Sequence, residues 1–91
     1  MEWKASHILI KSSSKANEIL NRLKKGEDFV KLAKEYSSCP SKSKGGDLGW
    51  FGEGQMVREF EKSVKKLSGG RISGLVRTQF GYHIIKKTGQ K

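Results

Sequence analysis

Ninety-one residues suit one small domain, residues 1–91, with one modest core, and 34% hydrophobic residues leave little apolar surface to spare. Nineteen Lys and Arg against nine Asp and Glu give a formal charge of +10 and a pI of about 10.0, which brings nucleic acid or another acidic partner into consideration. The lysines are dispersed (Lys4, Lys11, Lys24, Lys34, Lys44, Lys65, Lys87) and read as a solvated surface rather than one binding block.

The first element is a strand over residues 3–11, where Ala5-Ser6-His7-Ile8-Leu9-Ile10 runs apolar without a helical period. Ser12-Ser13-Ser14 supplies a helix cap, and Ala16, Ile19, Leu20 and Leu23 follow at helical spacing until Gly26 stops them. Asp28 caps a second helix striped by Phe29, Leu32, Ala33 and Tyr36. Residues 37–46 are mostly Ser, Lys and Gly around the one proline, Pro40, and predict a loop. Residues 47–52 predict a short aromatic strand in which Trp50 and Phe51 are both assigned to the core. Val57, Phe60, Val64 and Leu67 mark a third helix, and Met56 lies four residues before Phe60 on the same stripe. Residues 72–77 and 80–87 predict two closing strands with a turn at Thr78-Gln79. The order β-α-α-β-α-β-β defines an α+β fold, with helices packed on an antiparallel sheet.

Cys39 is the one cysteine, which rules out an internal disulfide and argues against a zinc site of Cys/His spacing. No run reaches the length of a membrane span, and no leader pattern stands at the amino end. The expectation is a cytoplasmic monomer, or alternatively a domain cut from a longer exported chain. The only two histidines, His7 and His83, sit in the first and last strands among residues that fill a core, so each ring needs a buried partner.

Taken in order, Ala5-Ser6-His7-Ile8-Leu9-Ile10, Tyr36-Ser37-Ser38-Cys39-Pro40-Ser41, Gly45-Gly46-Asp47-Leu48-Gly49-Trp50-Phe51, Gly54-Gln55-Met56-Val57, Phe60-Glu61 and Phe80-Gly81-Tyr82-His83-Ile84-Ile85 make a specific set. In these motifs the sequence resembles the parvulin family of peptidyl-prolyl cis/trans isomerases over residues 5–87. The resemblance implies a four-stranded antiparallel sheet wrapped by three to four helices, with the first and last strands central and the histidines neighbours beneath a substrate pocket. It implies a proline pocket of Leu48, Met56 and Phe60 with Phe80 as a further wall, and a catalytic polar floor of His7, Cys39, Thr78 and His83. It implies neither metal nor cofactor, and proline-containing polypeptides as substrates.

Each residue also has a plainer reading. The histidines serve equally well to join two strands, Met56 and Phe60 as core, Leu48 as a buried strand residue, and Thr78 as a turn stabiliser. Cys39 reads as a nucleophile beside Lys42 and Lys44 or as a polar tuning group; other parvulins carry aspartate there, which favours tuning. Gly45-Gly46 is not followed by the Gly-Lys-Ser/Thr of a phosphate loop. Only Lys11-Ser12-Ser13-Ser14-Lys15 joins the first strand to the first helix, whereas phosphate-dependent parvulins carry a long basic loop at that point, so broad Xaa-Pro acceptance is expected. Two other classes compete: a non-catalytic peptide-binding chaperone module, and a basic nucleic-acid binder supported only by dispersed lysines.

Overall fold

The computed structural model describes residues 1–91. Its elements are β1 (Glu2–Ile10), α1 (Ser13–Lys24), α2 (Phe29–Tyr36), a 3₁₀ turn (Pro40–Lys44), β2 (Asp47–Gly52), α3 (Arg58–Lys66), β3 (Val76–Thr78) and β4 (Gly81–Gln90). The four strands form one sheet in the order β2-β1-β4-β3, with every neighbouring pair antiparallel. The expected α+β architecture and the central placing of the first and last strands are both observed.

The alternation of side chains across a strand divides the core in two. Ile8, Ile10 and Ile84 face α1 and α2, where they meet Ala16, Ile19, Leu20, Phe29, Leu32 and Ala33. Trp3, Ala5 and Ile85 face the other way and pack with Phe51, Phe60 and Val64, the last two from α3. Ile8, Ile84 and Ile85 are fully buried, a gain of about 1.5–3 kcal/mol each. The predicted caps form: Ser12 accepts from Lys15 N at 3.3 Å and Asp28 from Lys31 N at 3.3 Å. The carboxyl end of α3 is held by Lys87, a buried residue of β4 whose ammonium donates to Leu67 O at 3.0 Å and to Gln90 Oε1, placing a cation where the helix dipole favours one.

The edge of β1 opposite β4 changes partner along its length. Trp3 and Lys4 pair with Phe51 and Trp50 of β2, and the register shifts between Lys4 and Ser6. Beyond the shift His7 N donates to Gly46 O at 2.9 Å, Leu9 N donates to Ser37 Oγ at 3.0 Å, and Ser38 N donates to Leu9 O at 2.7 Å. The segment after α2 therefore completes the sheet edge that β2 leaves.

Five expectations are corrected. Residues 37–46 contain a 3₁₀ turn: Pro40 stands at its start without an N–H to satisfy, and Gly45 closes it at φ +69°. The penultimate strand is only three residues long, because Ser73 replaces a ladder bond with its side chain; Ile85 N donates to Ser73 Oγ at 2.9 Å and Ser73 N to Ile85 O at 2.7 Å. Thr78 ends β3 rather than sitting in the turn, and it pairs with Gly81. Met56 precedes α3, whose cap is Val57, so it belongs to a loop and not to the helical stripe. Trp50 is 43% exposed, because only the face occupied by Phe51 is covered by α3; its ring rests against Gly89 below the Lys91 ammonium, 4.5 Å from the ring centre.

Gly46 is the tightest point of this edge. It adopts φ +90°, and a Cβ there would collide with the carbonyl oxygen of His7, which is strand backbone and cannot move aside. Gly69 has open space and no such backbone angle. Gly46→Ala should therefore lower the unfolding free energy by about 2–4 kcal/mol, while Gly69→Ala stays near neutral. Urea unfolding of the two variants compares them directly, and equal midpoints would show that the edge accommodates the methyl group.

Candidate active site

His7 and His83 lie on one face of the central strand pair. His7 opposes Ile85 and His83 opposes Leu9, so the two rings are diagonal neighbours across β1 and β4. They stack with ring centres 5.0 Å apart and planes 23° from parallel, and their Nδ1 atoms are 2.9 Å apart. Phe60 stands edge-on to both, 5.6 Å from each centre, at 78° to His7 and 81° to His83.

One assignment of protons satisfies this row. Phe80 N donates to Thr78 Oγ1 at 3.1 Å, and the Thr78 hydroxyl is 2.7 Å from His83 Nε2. If Thr78 donates to that nitrogen, His83 carries its own proton on Nδ1 and donates to His7 Nδ1. In the reverse order the threonine hydrogen has no acceptor. The row then leaves His7 protonated on Nε2, which is buried without a hydrogen-bond partner. Burial first, and repulsion from His83 second, bring the His7 pKa down to about 4; burial also lowers that of His83. At neutral pH both rings are uncharged.

These rings form the floor of an open cavity of about 460 Å³. Leu48, Met56, Phe60 and Phe80 line it, as do Cys39, His7 and His83. The sequence placed seven of its eight site residues in this one space. Thr78 is the exception: it does not line the cavity and reaches it only through His83. Cys39 lines the wall, and the hydrogen-bonded row of Thr78, His83 and His7 does not include its thiol. Its backbone N–H donates to Ser37 Oγ at 3.3 Å, so the serine that completes the β1 edge also fixes the cysteine.

Leu9, Ser38, Pro40, Gln55 and Val57 complete the lining. Leu9 was within reach of sequence reasoning, since it follows His7 at the strand period of two. The others flank Cys39 or Met56 and carry no distinguishing pattern. No acidic or basic side chain lines the cavity other than the neutral imidazoles.

An apolar cleft over paired neutral histidines, on a sheet of this strand order, is the architecture of a parvulin-type isomerase. The solved parvulin of Nitrosopumilus maritimus superposes with a TM-score of 0.84 at 47% identity, covering 97% of this chain and 96% of that one. A peptidylprolyl isomerase (PrsA) structure from Bacillus anthracis superposes with a TM-score of 0.97 at 50% identity, covering 99% of this chain and 42% of that one. The foldase protein PrsA of Geobacillus kaustophilus is 59% identical over 86 residues, which are 93% of this chain and 31% of that protein. The family model for the PPIC-type PPIase domain matches residues 1–91, and the chain belongs to that family of peptidyl-prolyl isomerases. The chain spans about a third of the length of the curated relatives it matches.

Because the folded His7 pKa lies below the unfolded value of 6.5, stability is fully present above pH 6.5. As pH falls toward 4, the unfolded chain takes up a proton that buried His7 does not, and this ring withdraws up to about 3 kcal/mol. Urea unfolding at about pH 7 and about pH 4.5 should show a loss in the wild type roughly 2–3 kcal/mol larger than in His7→Leu. The same loss in both proteins would mean that His7 is protonated in the fold.

Proposed function

We propose that residues 1–91 form one isomerase domain that binds the proline ring of an extended polypeptide in the cleft and lowers the barrier to rotation about the preceding peptide bond. The observation that carries this reading is the apolar cavity of about 460 Å³ floored by uncharged His7 and His83.

The chemistry required is slight. The amide barrier is roughly 18–20 kcal/mol, and uncatalysed Xaa-Pro isomerisation takes tens to hundreds of seconds. Twisting the bond removes amide resonance, so the carbonyl oxygen loses negative charge and the prolyl nitrogen gains a lone pair. A cleft without ions solvates the planar amide less well than water does, and penalises the less polar twisted state less. Leu48, Met56, Phe60 and Phe80 receive the pyrrolidine ring; Met56 adapts its shape and Phe60 offers a flat face. His7 and His83 supply the fixed polar floor, Thr78 holds the His83 tautomer from behind, and Cys39 adds a polar wall. No covalent bond to the substrate forms, and Cys39 is not a nucleophile.

Two residues, Lys11 and Ser12, join β1 to α1, which supports activity on unphosphorylated substrates. Lys42 and Lys44 lie on the 3₁₀ turn that begins with the pocket residue Pro40, and with Arg58 they favour an acidic residue before proline through weak, salt-sensitive attraction. Proline isomerisation is slow enough to limit folding, so assistance to folding is the role assigned. The domain acts as a monomer without obligatory nucleic acid or membrane. The span of 31% against the Geobacillus foldase favours the second branch of the localisation expectation, a domain within a longer chain, over a free-standing cytoplasmic enzyme.

Exchange spectroscopy on paired phosphorylated and unmodified Xaa-Pro peptides tests the reading. Accelerated exchange on the unmodified set is expected, and Met56→Ala should lower kcat/KM roughly tenfold with the fold retained. Binding without acceleration would place the chain among peptide-holding chaperone modules, and activity on phosphorylated peptides alone would overturn the broad specificity.

A further inference from the structure

Met56 and Phe60 face the same cavity from different supports. Phe60 is buried on α3 at 2% exposure, whereas Met56 stands in the link between Gly52, where β2 ends, and Arg58, where α3 begins. That link belongs to no strand or helix; beside one long backbone bond, from Gln55 N to Gly52 O at 3.4 Å, two side chains hold its backbone. Gly52 N donates to Gln55 Oε1 at 2.6 Å, which closes the turn upon itself. Gly54 N donates to Glu61 Oε1 at 2.7 Å, which ties the turn to α3.

Glu61 follows Phe60 directly on the helix. Its second oxygen is 3.2 Å from Lys65 Nζ, one turn further on, which fixes the orientation of the carboxylate. The bond from Gly54 holds the Glu61 carboxyl below the ordinary range, as expected for a charge-assisted bond to a backbone N–H. Gly54 adopts φ +80° with open space around its Cα, so the glycine there serves the backbone angle and not a close approach.

We propose that Glu61 is a positioning residue for substrate binding, a clasp that sets the distance between the Met56 and Phe60 walls of the proline cleft by joining the loop of one to the helix of the other. The proposal rests on the isomerase reading of the cleft. The competing account is that Glu61 only stabilises the amino end of α3, whose cap residue Val57 offers no side-chain acceptor. The two accounts differ in what a neutral acceptor does: Glu61→Gln retains an oxygen for Gly54 N–H but loses the charge that the helix dipole favours.

The test measures KM and kcat by exchange spectroscopy on an unmodified Xaa-Pro peptide for wild type, Glu61→Ala and Glu61→Gln, with peptide Kd from the same titrations and thermal midpoints alongside. A clasp predicts that Glu61→Ala raises KM and Kd about 5–10-fold with kcat within about twofold, and that Glu61→Gln recovers most of the affinity. Unchanged KM and Kd in Glu61→Ala, or equal loss in both variants, would overturn it. If the wild type binds peptide without accelerating exchange, the isomerase reading fails by itself, and the Kd series still decides the clasp. If Glu61→Ala does not fold, hydrogen exchange of the Gly54 amide decides: slowing of at least about tenfold in wild type, kept in Glu61→Gln, supports the clasp, and exchange at the unprotected rate refutes it.

Discussion

The pairing of two polar rings inside a small hydrophobic core is the constraint around which this domain is built. β1 and β4 make the longest ladder of the sheet, and their shared face carries His7 and His83 where apolar side chains would otherwise lie. Each imidazole brings two nitrogens that burial penalises unless they are bonded. The diagonal placing brings the Nδ1 atoms within 2.9 Å, and Thr78 closes the row at the other end. A proton on both rings would put like charges side by side in a dry place, so the arrangement is stable only while they stay neutral. The core thereby contains a polar floor that carries no charge.

One wall of the cleft is built where the edge of β1 changes partner. β2 serves only the first part of the β1 edge, from Glu2 to Ser6. Its pairing ends at Ser6, opposite Asp47, and Gly46, Ser37 and Ser38 take over the hydrogen bonds that the edge beyond still requires. The same segment carries Cys39 and Pro40 to the wall. Satisfying the backbone of β1 and furnishing one side of the site are thus a single structural event, and Ser37 is buried because it serves both.

Most of the fold was legible because its signals are local and periodic. Ala16, Ile19 and Leu20 announce α1 by their spacing alone, and the apolar runs around His7 and His83 announce central strands. Seven of the eight site residues meet at one cavity, although the motif resemblance and not their spacing brought them together. What escaped depends on partners remote in sequence. The penultimate strand is short because a hydroxyl, that of Ser73, answers Ile85 in place of a carbonyl. Trp50 looks like core until it is known which face of β2 has a helix over it. Met56 looks helical because Phe60 follows at i+4, yet α3 opens only at Arg58, and the preceding turn is tied to that helix by the hydrogen bond from Gly54 N to Glu61.

The net charge of +10 and the uncharged cleft belong to different tasks. Under the proposed function, long-range attraction from the scattered lysines would draw acidic stretches of polypeptide toward the surface and weaken as salt rises. Rotation inside the cleft would depend instead on local polarity, because the twisted amide is less polar than the planar one and carries no net charge for a lysine to stabilise. A cation in the lining would solvate the planar carbonyl and raise the barrier it has to lower. Lys42 and Lys44 follow Pro40 on the 3₁₀ turn and do not line the cleft, so under the proposed function capture would be electrostatic while the chemical step stays free of ions.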